Sequence, residues 1–208
     1  LQNRRGTTRL PAGTGSYVTP GKAPEASSRL LPAPQLGSLP ARIDRVPFRV
    51  AIEPVAGAVR YRTQIAADAG FTALDSDRTA TEPAVLGKDG LADGNYRLRV
   101  RAIDGRGLEG LDGEREIIID ARPEPPFPSA PGEFATEEAV RFEWAHSPEA
   151  TAYHFQLAAD PDFERILLTR DDLQAAQLTL EDELPAGDYW WRVGLTTAAE
   201  GRGPNSDI

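Results

Sequence analysis

The chain contains no cysteine and no methionine. Without thiols it has no disulfides, no thiolate metal sites and no cysteine nucleophile. Histidine is scarce, with two residues. No apolar run approaches the ~20 residues that cross a bilayer as a helix. Basic residues are outnumbered: 23 Lys+Arg against 32 Asp+Glu give a net charge of −9. Such a chain lacks the cationic footprint of a nucleic-acid binder and a polybasic patch for anionic lipid, so neither nucleic acid nor membrane insertion is expected. Methionine is missing even at position 1, which is Leu1. A translated chain starts with Met, so the natural start is expected upstream. No charged segment followed by an apolar one marks a signal peptide, and with the start absent this says nothing of compartment.

What is present is an ordinary globular composition, 40% hydrophobic and 26% charged, with 19 Gly and 18 Pro scattered aperiodically. It also repeats. Ala58 to Phe71 reads AVRYRTQIAADAGF and Ala150 to Phe163 reads ATAYHFQLAADPDF. The shared pattern A-x-x-Y-x-x-Q-[IL]-A-A-D-x-x-F aligns Gln64 with Gln156 and Asp68 with Asp160 at an offset of 92. Upstream, Val46, Phe48 and Val50 match Val140, Phe142 and Trp144. Downstream, Leu91-x-x-Gly94-x-Tyr96 matches Leu184-x-x-Gly187-x-Tyr189, each followed by x-x-Arg-Val, Arg99-Val100 and Arg192-Val193. Three blocks in one order indicate two copies of a domain of roughly 90 residues.

Each block has the period of two of a half-buried strand. Val59, Tyr61, Thr63 and Ile65 alternate with Arg60, Arg62 and Gln64. Tyr96, Leu98, Val100 and Ala102 alternate with Arg97, Arg99 and Arg101. In the second copy Tyr153, Phe155, Leu157, Tyr189, Trp191, Val193 and Leu195 are expected to face inward. Asp-Gly and Pro-Ala-Gly turns separate the strands. Asp171 to Leu180 suits either one helical turn or a strand. Short strands at regular spacing with Gly/Pro turns predict an all-β chain built as β-sandwiches.

Residues 31–122 are expected to form the first sandwich and 123–208 the second. The stretch Arg122-Pro-Glu-Pro-Pro-Phe-Pro128 between them is expected to be extended and stiff. Within residues 1–30, Thr19 to Ser28 has a linker composition, and Arg9 to Val18 reads as the last strand and turn of a preceding domain. The second copy stops at Ile208, where the first still has its Glu114–Asp120 strand to come. Both ends therefore read as cut, leaving the second sandwich short of its closing strand.

The order Phe-x-Trp, then Tyr, then Leu-x-x-Gly-x-Tyr resembles the fibronectin type III sandwich, an immunoglobulin-like fold. The resemblance implies a tyrosine corner at Tyr96 and Tyr189 and a core Trp at Trp144, replaced by Val50 in the first copy. Leu30-Leu-Pro-Ala-Pro, Arg99-Val-Arg-Ala-Ile-Asp, Gly107-Leu-Glu-Gly-Leu-Asp and the proline stretch are similar to the C-terminal region of bacterial FecR-domain proteins. Those are exported, often carry an N-terminal LysM module, and continue after the FecR domain into fibronectin-III-like repeats. The resemblance implies a periplasmic or cell-envelope protein without enzyme activity, with residues 1–30 as the tail of the FecR-like domain plus a linker. No LysM module lies in this sequence, so glycan binding passes to no residue of it.

Catalysis finds no support in the motifs. His146 and Ser147 are adjacent, without the converging geometry of a triad or a G-x-S-x-G elbow. Gly13-x-Gly15 lacks the context of a dinucleotide loop. Asp75/Asp77 and Asp160/Asp162 lack the calcium-loop spacing and read as turn residues. No cofactor or metal is expected.

Two surfaces remain. The outward residues of two neighbouring strands in the first copy are Arg60, Arg62, Arg97, Arg99 and Arg101. They suit docking of carboxylate-bearing partners, an envelope protein or peptidoglycan. They equally suit a cross-strand ladder with Glu114 and Glu116. In the second copy the same face carries His154, Gln156, Trp190 and Arg192. An outward Trp beside Arg is typical of interface hot spots; the alternative is that a last strand or the neighbouring sandwich covers it. The expected function is a non-catalytic spacer and interaction module, with a signalling adaptor in a FecR-type sensing pathway as the alternative.

Overall fold

The computed structural model describes residues 1–132, 139–181 and 184–207, among which there is no helix. The chain divides into two compact units, Leu1–Ile119 and Asp120–Ile208.

The first unit begins with two small ribbons, β1 (Gln2–Asn3) with β2 (Gly6–Thr7) and β3 (Thr14–Gly15) with β4 (Ser28–Arg29). Its sandwich follows as β5 (Arg42–Ile43), β6 (Arg49–Ala51), β7 (Ala58–Ala66), β8 (Ser76–Ala80), β9 (Ala84–Leu86), β10 (Gly94–Asp104) and β11 (Gly113–Ile119). One sheet runs β5-β11-β10-β7-β8, antiparallel except where β5 joins β11, and the other pairs β6 with β9. The alternation read from the sequence sets the layers. Tyr61, Thr63, Ile65, Leu98, Val100, Ile117 and Ile119 are buried between the sheets, with Phe48 and Val85 opposite. Val59, expected inward, is 48% exposed, because inward facing begins only at Tyr61.

The second unit has β12 (Pro128–Ala130), β13 (Val140–Trp144), β14 (Ala150–Ala158), β15 (Ile166–Leu173), β16 (Gln177–Leu180), β17 (Trp190–Thr197) and β18 (Gly201–Asn205). A three-stranded sheet β12-β13-β16 faces a four-stranded sheet β15-β14-β17-β18. Asp171 to Leu180 is thus strand, turn and strand. The core is aromatic: Phe142, Trp144, Tyr153 and Phe155 are buried around Val193 and Leu195, with Trp191 packed against them. Phe142 and Phe155 lie 4.8 Å apart, and Trp144 stacks on Phe155. Each such pair adds about 0.5–1.5 kcal/mol beyond area burial. The first core, with Val50 half-buried in the place of Trp144, is mainly aliphatic.

Each sandwich has its tyrosine corner. Tyr96 donates to the Ala92 carbonyl at 3.0 Å and Tyr189 to that of Pro185 at 2.8 Å. This strand order and these corners make the chain two tandem fibronectin type III-like, immunoglobulin-like β-sandwiches.

Three expectations change. The closing strand of the second sandwich is present: β18 pairs antiparallel with β17. It fits because the turn before it is only 198–200, whereas the first copy uses 105–112. The proline stretch, expected as an extended, stiff segment between the two sandwiches, belongs to the second unit. Pro123 and Pro126 are buried in the second unit, and Pro128–Ala130 forms β12, an edge strand where a missing donor is tolerated. Residues 14–31 pack on the first sandwich. Tyr17 bonds to Asp104, and Arg106 lies 3.6 Å over the Tyr17 ring while holding Glu25 at 2.9 Å. Glu25 sits within the stretch whose composition suggested a linker.

Candidate functional site

The five arginines of the first copy do share one face. Pairing of β7 with β10 sets Arg97 opposite Ala66, Arg99 opposite Gln64, Arg101 opposite Arg62 and Ile103 opposite Arg60. Two like charges directly opposite are destabilising, and Glu109 resolves the clash between Arg62 and Arg101. It accepts from Arg62 Nη1 at 2.7 Å and from Arg101 Nη1 at 2.8 Å. Arg62 also forks onto Asp77, and Arg101 onto Asp112. Burial pushes the Glu109 carboxyl up, but the hydrogen bonds from Arg101 and Arg62 outweigh it and hold it below the usual range. Hydrogen bonds from Arg62 hold Asp77 down, and those from Arg101 hold Asp112 down.

The expected ladder with the last strand is realised at Arg97, which meets Glu116 at 2.8 Å. Glu114 stands in register with Arg99. Arg99 turns instead to Gln64, with Asp112 3.9 Å away. Arg60 is exposed at the end of the row. Sequence reasoning missed Asp77, Glu109 and Asp112. The spacing of Asp75 and Asp77 points only to a turn, and how the 105–112 loop folds back is set by tertiary packing. A shallow depression of about 400 Å³ lies beside Arg97 and Glu116, lined also by Asn95, Tyr96 and Ile118.

The repeated residues form the same cluster in both copies. Arg99 donates through Nε and Nη2 to Gln64 Oε1, at 3.0 and 2.7 Å, and its guanidinium lies 4.1 Å from the Phe71 ring centre. Arg192 does the same to Gln156, at 2.8 and 2.7 Å, and lies 3.9 Å over Phe163. Phe71 and Phe163 both adopt left-handed backbone, with φ of 51° and 57°. That conformation costs about 1–2 kcal/mol for a non-glycine residue. Asp68 and Asp160 brace the turn before each Phe: Asp68 accepts backbone N–H groups of Gly70, Thr72 and Ala73, and Asp160 those of Asp162, Glu164 and Arg165. These aspartates are therefore turn braces. Among the described residues no group of three or more His, Asp or Glu is placed to hold a metal ion.

The second copy differs beyond that cluster. His154 lies on the outer face of its sheet, as read from the alternation, but it is only 3% exposed and presents nothing to a partner. The cause is Gly194 opposite it, whose bare Cα lets the imidazole lie flat against the sheet. Arg202 meets Asp171 at 3.1 Å, and both charges act on His154. Burial, followed by the Arg202 charge, pushes the imidazole down to about 4. Trp190 is half-buried and aligns across the sheet with Ala158 and the 44% exposed Ile166. Arg192 is half-buried, and burial pushes its ionisation down. The closing strand pairs with β17 at Gly194, Thr196 and Thr197, and Ser206 continues the contact to Val193.

No family model matches the chain, and no curated protein matches it. Solved structures do. The FN1–FN3 domains of chicken CNTN1 are 19% identical, covering 88% of this chain and 68% of that one, with a TM-score of 0.35. The fibronectin(III)-like modules of Clostridium thermocellum CbhA are 13% identical, covering 75% and 78%, with a TM-score of 0.30.

Proposed function

We propose that the chain is a non-catalytic spacer and interaction module of a FecR-like exported protein, acting in the periplasm or cell envelope on a protein or peptidoglycan partner. The FecR context rests on the motifs that resemble that family. The observation that carries the interaction role is the asymmetry of the two sheet faces. Arg62, Arg97 and Arg101 of the first copy are held by the chain's own carboxylates. Trp190 and Arg192 of the second copy are half-buried together, with no carboxylate paired to Arg192 among the described residues. Fractionation of cells expressing the full-length protein tests the location: recovery with the envelope supports it, and recovery in the cytosol overturns it. Affinity capture from envelope extract tests the role. A partner retained by the native chain and lost with Trp190→Ala, at unchanged melting, supports the interaction face. Capture indifferent to that substitution removes it.

A further inference from the structure

One sheet edge of the second sandwich lies in mid-chain. β15 stands at the margin of the sheet β15-β14-β17-β18 and pairs with β14 alone. The next strand along the chain, β16, joins β13 in the opposite sheet, so among the described residues the other side of β15 faces no strand. Sheet edges of monomeric proteins are kept short, charged or covered. β8, in the same place in the first sandwich, follows that rule: it has five residues, none of them large and apolar, and its Asp77 is held by Arg62. β15 has eight residues, and its Ile166 and Leu167 are exposed.

The charges along this edge supply a second, independent observation, because they run in one direction. Arg165 stands just before the strand, its side chain 72% exposed, with the Asp160 carboxylate no nearer than 3.9 Å. Arg170, Asp171 and Asp172 lie near the other end. Asp171 meets Arg202. Arg170 donates to the Thr169 carbonyl beside it at 3.1 Å, and among the described residues no carboxylate is paired with Arg170 and no cation with Asp172. Two such strands laid antiparallel bring the basic start of each against the acidic end of the other, whereas parallel pairing sets like against like. With Leu168 opposite Thr169, Arg165 falls opposite Asp172, Leu167 opposite Arg170 and Glu164 opposite Leu173, so no like charges meet. A slip of one residue sets Glu164 opposite Asp172 in one direction and leaves Arg165 opposite Leu173 in the other.

We infer that β15 is a self-association edge: two copies of this chain pair antiparallel through the stretch from Arg165 to Asp172 and join their sheets. A two-fold contact of this kind uses the same patch on both copies, so each side-chain pair occurs twice. Backbone pairing and the apolar Ile166–Leu168 stretch supply affinity, and the two Arg165–Asp172 pairs fix direction and register. A ladder this short buries less than about 1,200 Å², the range of weak complexes, so the dimer depends on concentration. The inference goes beyond the reading of Trp190 and Arg192 as a face for an envelope partner and does not rest on it. Failure of capture through Trp190 and failure of self-association are separate outcomes.

The test is sedimentation of the whole chain from about 1 μM to about 1 mM, the range in which so small an interface forms. A monomer–dimer equilibrium is expected, with the amides of Ile166 to Arg170 exchanging more slowly by about threefold or more where the dimer predominates. Leu167→Arg, at an exposed position, sets like charges opposite each other at two places and is expected to weaken the dimer about tenfold. Arg165→Glu and Asp172→Lys are each expected to weaken it similarly. An equimolar mixture of those two variants is expected to restore association, because every facing pair is again of opposite sign. Leu167→Arg changes neither of those charges, so a misfolded Asp172→Lys leaves the test intact. Four results overturn the proposal: a chain monomeric to about 1 mM, which leaves the edge to a different occupant; a dimer indifferent to Leu167→Arg; protection on β8 or β18 in place of β15; or two folded charge variants whose mixture stays monomeric.

Discussion

The guanidinium of Arg192 lies 3.9 Å over the ring of Phe163, just as that of Arg99 lies 4.1 Å over Phe71. In both copies a Gln on the neighbouring strand holds the fork from one side and a Phe in left-handed backbone covers one face. The repeat therefore conserves a way of fastening the turn after the third sandwich strand to the face of its sheet.

Removing the Gln is the direct test of that fastening. Gln156→Leu leaves two donors of a half-buried Arg192 without an acceptor, and should destabilise the second sandwich by about 1.5–3 kcal/mol. All three tryptophans, Trp144, Trp190 and Trp191, lie in that unit, so fluorescence in a urea titration reads its unfolding. Gln64→Leu should have the smaller effect on its own unit, because Asp112 stays 3.9 Å from Arg99.

Glu109 and Glu116 make a matched pair of probes. Glu109 joins two facing arginines, with side chains 25–33% exposed around it. Glu116 is 74% exposed beside Arg97. Glu109→Gln should lower the stability of the first unit by about 1–2 kcal/mol, and Glu116→Gln by less than about 0.5 kcal/mol. Hydrogen exchange of the β10 amides would separate the two. Equal effects would mean that the network acts as a row of independent surface pairs.

Gly194 tolerates no side chain. A Cβ there would run into the His154 imidazole and lie 2.8 Å from the Pro204 carbonyl oxygen. Gly194→Ala should destabilise the second sandwich by about 1–3 kcal/mol. The double variant with His154→Ala should recover part of that loss, as contacting residues do in a mutant cycle. Urea midpoints of the four chains decide it.

His154 makes stability depend on acid. Its folded value, about 4, lies below the ordinary imidazole value of about 6.5 that an unfolded chain shows. The unfolded chain therefore binds the proton first as pH falls. The stabilisation is complete above about pH 6.5 and is lost progressively toward pH 4, amounting to roughly 2–3 kcal/mol. His154→Gln should flatten the fall in melting temperature between pH 7 and pH 5, above the range where most carboxylates titrate. An unchanged slope would place the acid sensitivity elsewhere.

The layers of both sandwiches were legible from the period of two, in Tyr61 to Ile65 and Tyr96 to Ala102 of the first and Tyr153 to Leu157 and Trp191 to Leu195 of the second, and both corners from Leu-x-x-Gly-x-Tyr. The arginine face was legible for the same reason, since register follows from alternation. What neutralises it was legible only at Glu116, beside Arg97. Glu109 and Asp112 reach the sheet only because the 105–112 loop folds back, and no local pattern encodes that path. His154 was placed on the correct face, but its burial depends on Gly194 in the neighbouring strand. The closing strand was missed because its sequence, Gly201 to Asn205, has two Gly and a Pro and no apolar alternation.

The hold of Tyr17 on Asp104 has a practical side. The composition change near residue 31 invites a cut there when the first sandwich is prepared alone. Such a fragment would lose the Tyr17 hydroxyl that keeps the Asp104 carboxyl below its usual range, and the Glu25 that fixes Arg106. It would also uncover Leu108, which packs against the Gly15 backbone. Preparations that begin before Thr14 should resist protease at the 105–112 loop, and those that begin at Leu31 should be nicked there.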